Sequence, residues 1–311
     1  KVKSFTNSIY DVDYYAISNE EELEEAIASK LADMEEINYE LKETHLFTMC
    51  LDEEMADSYN SWIRVGWALK NTSEKLFLTW IKFSTKSPKF DYSMIGEFFE
   101  LWCGFNSKNK EGLTKRSIMY WAKNCDQKQY ELVREETIDF YVEKTIKEGT
   151  EFDIAEVLYN MFKDKFICIS IKQNIWYEFI NTRWIESDSG NSLRLVISKQ
   201  LYDIYMRKSE ETWEYMHKLD PTSEKWTSTQ KRLSKITSLC PRLKATNFKN
   251  NIMREARELF YDKDSIFMST LDSKNHLLCF NNGIVDFEQK CFRKGQPDDN
   301  ISLCTNIDYV K

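Results

Sequence analysis

Between Lys225 and Arg257 the sequence places nine basic side chains, among them Lys225, Lys231, Arg232, Lys235, Arg242, Lys244 and Lys249, against one acid, Glu255. Cations at that density neutralise phosphates, and this local excess stands in a chain whose overall charge is −8. Lys115, Arg116 and Lys123 form a second, smaller basic group. The stretch WYEFINTRWIESDSG, residues 176–190, adds Arg183 beside Trp184, a cation next to a ring of the kind that stacks on unpaired bases. A nucleic-acid surface could be built from these residues. A basic helix is also commonly just a solvated face, so the choice depends on what surrounds each cation.

Other chemistry finds little material. The eight cysteines, at 50, 103, 125, 168, 240, 279, 291 and 304, lack the tight spacing of a zinc or disulfide framework and read as reduced, packed thiols. His45, His217 and His276 are scattered and give no metal site or Cys/His dyad. No glycine is followed by Lys and then Ser or Thr, so the phosphate-cradling loop of an ATPase is missing, and FRKGQPDD does not substitute for it. Asp11 and Asp13 form a short Asp-x-Asp without the strand core that a two-metal site needs, and read as an acidic loop. Glu186 and Asp188 sit at a turn, where Asp188 is an N-cap or Asx-turn residue rather than a general acid. No catalytic, metal or cofactor site is expected here.

The elements that must position these residues follow from pattern. Apolar residues make up 42% of 311, with only 8 Gly and 4 Pro, which describes a folded chain with a substantial core. It opens on Lys1 rather than Met, as a piece of a longer protein would, and shows no membrane span or signal peptide, so a soluble, intracellular protein is expected. Residues 1–45 read as an acidic lead-in or linker: from Asp11 to Asn60, 16 acids face only Lys30 and Lys42. Leu23, Ile27, Leu31, Met34 and Leu41 recur at near-helical spacing there, capped by Ser18 or Asn19, on what reads as a solvated helix.

Residues 46–150 read as a compact helical domain of five helices, with Thr114 capping the fourth, Gly149 ending the fifth and tryptophans at core spacing. Residues 151–311 read as an α+β domain. A short helix through Ile154 and Met161 leads into strands over 166–171, 175–179 and 183–186. A helix with Leu193, Ile197, Leu201, Ile204 and Tyr205 on one face follows, then a basic helical segment over about 222–258, broken at Pro241, and a closing hairpin around Asn-Asn-Gly. The fold class is therefore mainly α with a small α+β part containing short β-hairpins. In the first of these hairpins Trp176 and Glu178 point one way and Tyr177 and Phe179 the other. One ring-bearing face must be buried, which leaves the opposite face open to DNA.

Several stretches resemble a known family. YNSWIRVGWAL, Trp80, LWCGF and SIMYWAK resemble the helical primase C-terminal domain of viral primase-helicases. WYEFINTRWIESDSGNSLRLVIS resembles the domain that precedes the helicase core in poxvirus-type primase-helicases, and LDSKNHLLCFNNGIVDFEQKCFRKGQPDDNIS the motif joining it to a superfamily 3 helicase. The ordered set covers about residues 46–311 and is similar to giant-virus members of the mimivirus kind. The resemblance implies a parent enzyme that primes and unwinds DNA, with ATP and Mg²⁺ held only in its helicase core. It also implies that the domain before the helicase forms a collar on a hexameric ring through which DNA passes. The expected partners are single-stranded or forked DNA, copies of the same chain and other replication factors, with no membrane, in a viral replication compartment of the host cytoplasm. The alternative is a protein–protein scaffold or oligomerisation module that does not touch DNA.

Overall fold

The computed structural model describes residues 14–37, 39–105, 113–263 and 265–310. Asp11 and Asp13 lie outside the described residues. The chain divides into two compact units between Thr137 and Ile138.

The first unit is helical: α1 (Glu20–Ile37), α2 (Tyr39–Met49), α3 (Glu53–Asp57), α4 (Tyr59–Thr72), α5 (Phe77–Ser84), α6 (Ile95–Gly104), α7 (Lys115–Cys125) and the first part of α8 (Gln127–Glu148). Its centre is a run of indoles. Trp62 stacks on Trp80 at 4.5 Å and Trp102 lies 5.7 Å beyond, so the tryptophans are core as their spacing predicts. Their N–H groups are part of the packing: Trp62 donates to Ser84 Oγ at 2.8 Å and Trp80 to the carbonyl of Trp62 at 3.2 Å. Gly66 allows the approach, because a Cβ there would stand 2.8 Å from the Trp80 ring.

The acidic lead-in differs from expectation. Helix α1 is not a solvated linker but buries Leu23 and Ile27 in this same core, while Lys82 pairs with Glu20 and Glu24. The i,i+4 apolar pair supplies the contact, and the lysine offsets part of the acidic repulsion. Thr114 caps α7 in a reciprocal capping box, as predicted.

The second unit begins within α8, whose Val142 and Ile146 pack in a separate core. Gly149 ends the helix at φ +71°, in the left-handed conformation that favours glycine. Then come α9 (Glu151–Phe162) and an antiparallel sheet of β1 (Phe166–Ser170), β2 (Ile175–Ile180) and β3 (Arg183–Ser187). Helix α10 (Asn191–Val196) passes through a π turn at Ile197–Leu201 into α11 (Tyr202–Met216). Helices α12 (Glu224–Arg242), α13 (Thr246–Leu259) and the short α14 (Ile266–Thr270) follow. A second three-stranded sheet, β4 (Leu277–Phe280), β5 (Gly283–Asp286) and β6 (Cys291–Arg293), closes the chain. The architecture is mainly α with a small α+β part, as the pattern indicates.

Three local readings need correction. Pro241 sits inside the last turn of α12, and the break comes just after it, at Leu243. Asp188 is exposed and does not cap α10; Gly190 holds the N-cap position at φ +63° with its Cα side against the Trp176 ring. In the closing hairpin the two-residue turn is Asn281–Asn282, because Phe280 pairs with Gly283, and none of the three residues has positive φ. Gly283 serves by lacking a side chain, since a Cβ would fall 2.4 Å from the Phe292 ring.

Candidate nucleic-acid interface

The first sheet is covered on both faces. Phe166, Cys168 and Trp176 face the helical core, where Trp176 meets Phe260 at 5.6 Å. Phe179 and Trp184 are directly opposed across β2 and β3 on the other face, and Phe267 of α14 closes over Trp184 at 5.0 Å. Trp184 is 3% exposed and its indole donates to the carbonyl of Pro297 at 2.8 Å. The expectation of a ring-bearing face left open to DNA is therefore corrected: α14, some eighty residues along the chain, supplies the missing cover. Arg183 remains half-exposed at the sheet edge, with its guanidinium 3.3 Å from Asn306 Oδ1.

The basic run separates into groups with different surroundings. Arg232 points inward and grips Glu143 through two hydrogen bonds of 2.6 and 2.8 Å. Burial alone would raise the Glu143 carboxyl, but Arg232 and Lys208 outweigh it and hold that carboxyl below its usual range. Lys235 donates to the carbonyl of Lys147 at 2.9 Å, at the C-terminal end of α8, where a cation also complements the helix dipole. Lys225 and Lys231 are exposed on α12.

The last group gathers at the corner between α12 and α13. Arg242 lies 4.1 Å from the Phe248 ring and Lys244 lies 3.4 Å from the Tyr202 ring. Arg194 of α10 reaches the same corner through two hydrogen bonds to Asn250 Oδ1, at 3.2 and 3.0 Å. The π turn is tied there as well, since Ser198 Oγ donates to the carbonyl of Leu243 at 3.4 Å beside the exposed Lys199. Lys249 stands in the first turn of α13. That helix begins at Ala245 without a side-chain cap, and its first turn contains no acid. Its leading N–H groups therefore lack a cap from the N-cap side chain, an arrangement suited to anions.

Arg194 and Lys199 were missed from sequence because they lie outside the dense basic run. The available signal was confined to Lys199, exposed on the side away from Leu193 and Ile197, since Arg194 falls at the margin of the apolar face. In the first unit, Lys115 is ion-paired with Glu40 rather than presented. Arg116 and Lys123 are exposed on α7, with the 40%-exposed Tyr120 between them at helical spacing.

Arg293, Asp286 and Asp299 are structural. Arg293 clasps Asp299 at 2.8 and 2.9 Å and reaches Asp286 at 3.3 Å, so FRKGQPDD is a folded clasp. Gly295 within it packs on the Thr182 backbone, where a Cβ would be 2.6 Å from Cα. Cys304 packs beside the buried Cys279, while Cys291 is exposed. Among the described residues no group of His, Cys, Asp or Glu is placed to hold a metal ion, and no helix is long and apolar enough to cross a membrane.

Two family models match this chain in sequence order. Primase C terminal 2 matches residues 47–122, and D5 N terminal like matches residues 155–311. The chain belongs to the D5 N-terminal-like family, with a primase C-terminal domain ahead of that region. A protein named as a helicase in Acanthamoeba polyphaga mimivirus is 34% identical over 259 residues, which is 83% of this chain and 26% of the relative. One named as a helicase in Frog virus 3 is 27% identical over 307 residues, 88% of this chain and 30% of the relative. One named as a primase in African swine fever virus is 28% identical over 268 residues, 80% of this chain and 27% of the relative. The chain thus spans roughly a quarter to a third of the length of the relatives it matches.

Proposed function

We propose that this chain is a non-catalytic segment of a viral DNA-replication primase-helicase, and that its second unit engages DNA through the α12–α13 corner. The family context supports a role in viral replication. The observation that carries the finer reading is the grouping of Arg242, Lys244 and Lys249 around the junction of α12 and α13, with Arg194 hydrogen-bonded to Asn250 of α13. Such a surface neutralises successive phosphates and tracks a strand without reading its sequence. ATP and Mg²⁺ would belong to the helicase core of the parent protein. Coupling of priming to unwinding follows if the strand passes from this corner to that core. Ring formation through copies of the parent chain is a second role, favoured by Trp213 and Tyr215, each 52% exposed towards the end of α11.

The test is fluorescence anisotropy of labelled oligothymidylate and of forked DNA, titrated at low and physiological salt. Each corner cation replaced by alanine should reduce the salt slope on the single strand by about 0.7 and weaken binding alike for all sequences. Binding that is absent, or unchanged in Arg242→Ala/Lys244→Ala/Lys249→Ala, would remove the DNA reading and leave assembly as the role of the corner.

A further inference from the structure

The helical unit contains a cavity for which the nucleic-acid reading has no use. Helix α3, the start of α4, the loop after α5 and one face of α6 enclose about 500 Å³, within the range of natural ligand pockets. Its walls are largely apolar. Trp62 is nearly buried, with its N–H already satisfied by Ser84, so it offers the cavity carbon surface. Phe98 packs against it at 5.0 Å. Tyr59 and Leu101, which line the same cavity, are 67% and 38% exposed. Large apolar side chains left open around a concavity mark an interaction site more often than a bare surface.

Charge decides what kind of occupant fits. Asp57 accepts hydrogen bonds from Ser87 at 2.8 Å and from Lys89 at 2.9 Å, so the lysine of the rim is already neutralised. Glu97, exposed on α6, adds a second carboxylate. The rim is therefore net negative. A nucleotide would bring its phosphate against the unpaired charge of Glu97, whereas a cationic segment would be drawn to it.

We propose that this cavity is a docking site for a protein partner, and that it takes a segment presenting a large apolar side chain next to lysine or arginine. The apolar side chain enters the aromatic pocket as an anchor, the arrangement in which a few buried contacts carry most of the binding energy. The flanking cation meets Glu97. The site lies in the first unit and is independent of the corner described above.

A displayed library of random 16-residue peptides, panned against the whole chain and against Tyr59→Ser/Leu101→Ser, tests this. Both substitutions fall on exposed positions, and a thermal melt by circular dichroism checks that the fold is kept. The expected survivors bind wild type, lose about tenfold or more on the double variant, and are enriched in Trp, Phe or Leu beside Lys or Arg. Resynthesised as labelled peptides, they should weaken several-fold on Glu97→Lys and with added salt. The proposal is overturned if no peptide separates the two chains, or if the selected peptides are acid-rich. It is equally overturned if oligothymidylate displaces them, which would make the cavity a base pocket.

Discussion

Lys231 and Arg232 are neighbours in sequence with the same charge, yet only the second substitution should weaken the fold. The Arg232 guanidinium makes two charge-assisted hydrogen bonds to Glu143, and each side chain is one-third exposed. A hydrogen bond to a charged group contributes about 1.5–3 kcal/mol when well buried, and partial exposure reduces this substantially. Glu143 also keeps Lys208 at 3.5 Å when Arg232 is lost. Arg232→Ala should therefore cost about 1–2 kcal/mol, which for a unit of this size lowers its melting temperature by roughly 2–8 °C. Lys231→Ala should fall within about 0.5 kcal/mol of wild type. Urea denaturation of the two single variants, Glu143→Gln and Arg232→Ala/Glu143→Gln gives the coupling energy directly, expected at about 1 kcal/mol. Because Arg232 holds the Glu143 carboxyl below its usual range, this contribution is present above the unfolded carboxylate pKa and is lost as pH falls through the folded value. A coupling near zero, or a stable Arg232→Ala protein that has lost DNA binding, would refute the assignment of Arg232 to the fold.

Three further outcomes follow from particular contacts. His45 is buried against Thr79, and burial pushes its pKa down to about 4. The unfolded chain takes up that proton near pH 6.5, so the stability is full above that pH and about 2 kcal/mol is lost by pH 5; His45→Gln should flatten this dependence in denaturation curves. Trp184→Ala should destabilise the second unit by about 3–5 kcal/mol, seen as a lower urea midpoint, because it empties a site closed by Phe179 and Phe267. Gly295→Ala should cost about 1–3 kcal/mol by the same measurement, since its methyl would strike the Thr182 backbone.

Local structure was legible because its causes are local. Thr114, Gly149 and the strands of the first sheet declare themselves through capping chemistry, positive φ and period-two alternation within a few residues. The indole core was legible too, since helical spacing brings Trp62 and Val65 to one side of α4. What pattern could not supply is the identity of a distant partner. The far face of the sheet reads as open until α14 is placed over it, and α1 reads as solvated until the core that takes up Leu23 and Ile27 is placed beside it. Arg194 joins the corner through Asn250, fifty-six positions away.

That limit matters most for the basic run, where charge counting and contact geometry select different residues. A triple charge reversal at Lys231, Arg232 and Lys235, the densest stretch, would break the Glu143 pair and the Lys147 contact together. It would then set a new carboxylate against Glu143, with the cost of like charges added to the lost pair. Loss of DNA binding in such a variant would be indistinguishable from loss of the fold, and would pass for support of the DNA reading. The corner set avoids this difficulty. Lys244 and Arg242 rest on aromatic rings and are exposed, so alanine there removes charge and some packing but leaves no buried carboxylate unpaired. The more informative variant is the one whose failure to bind could not be explained by unfolding.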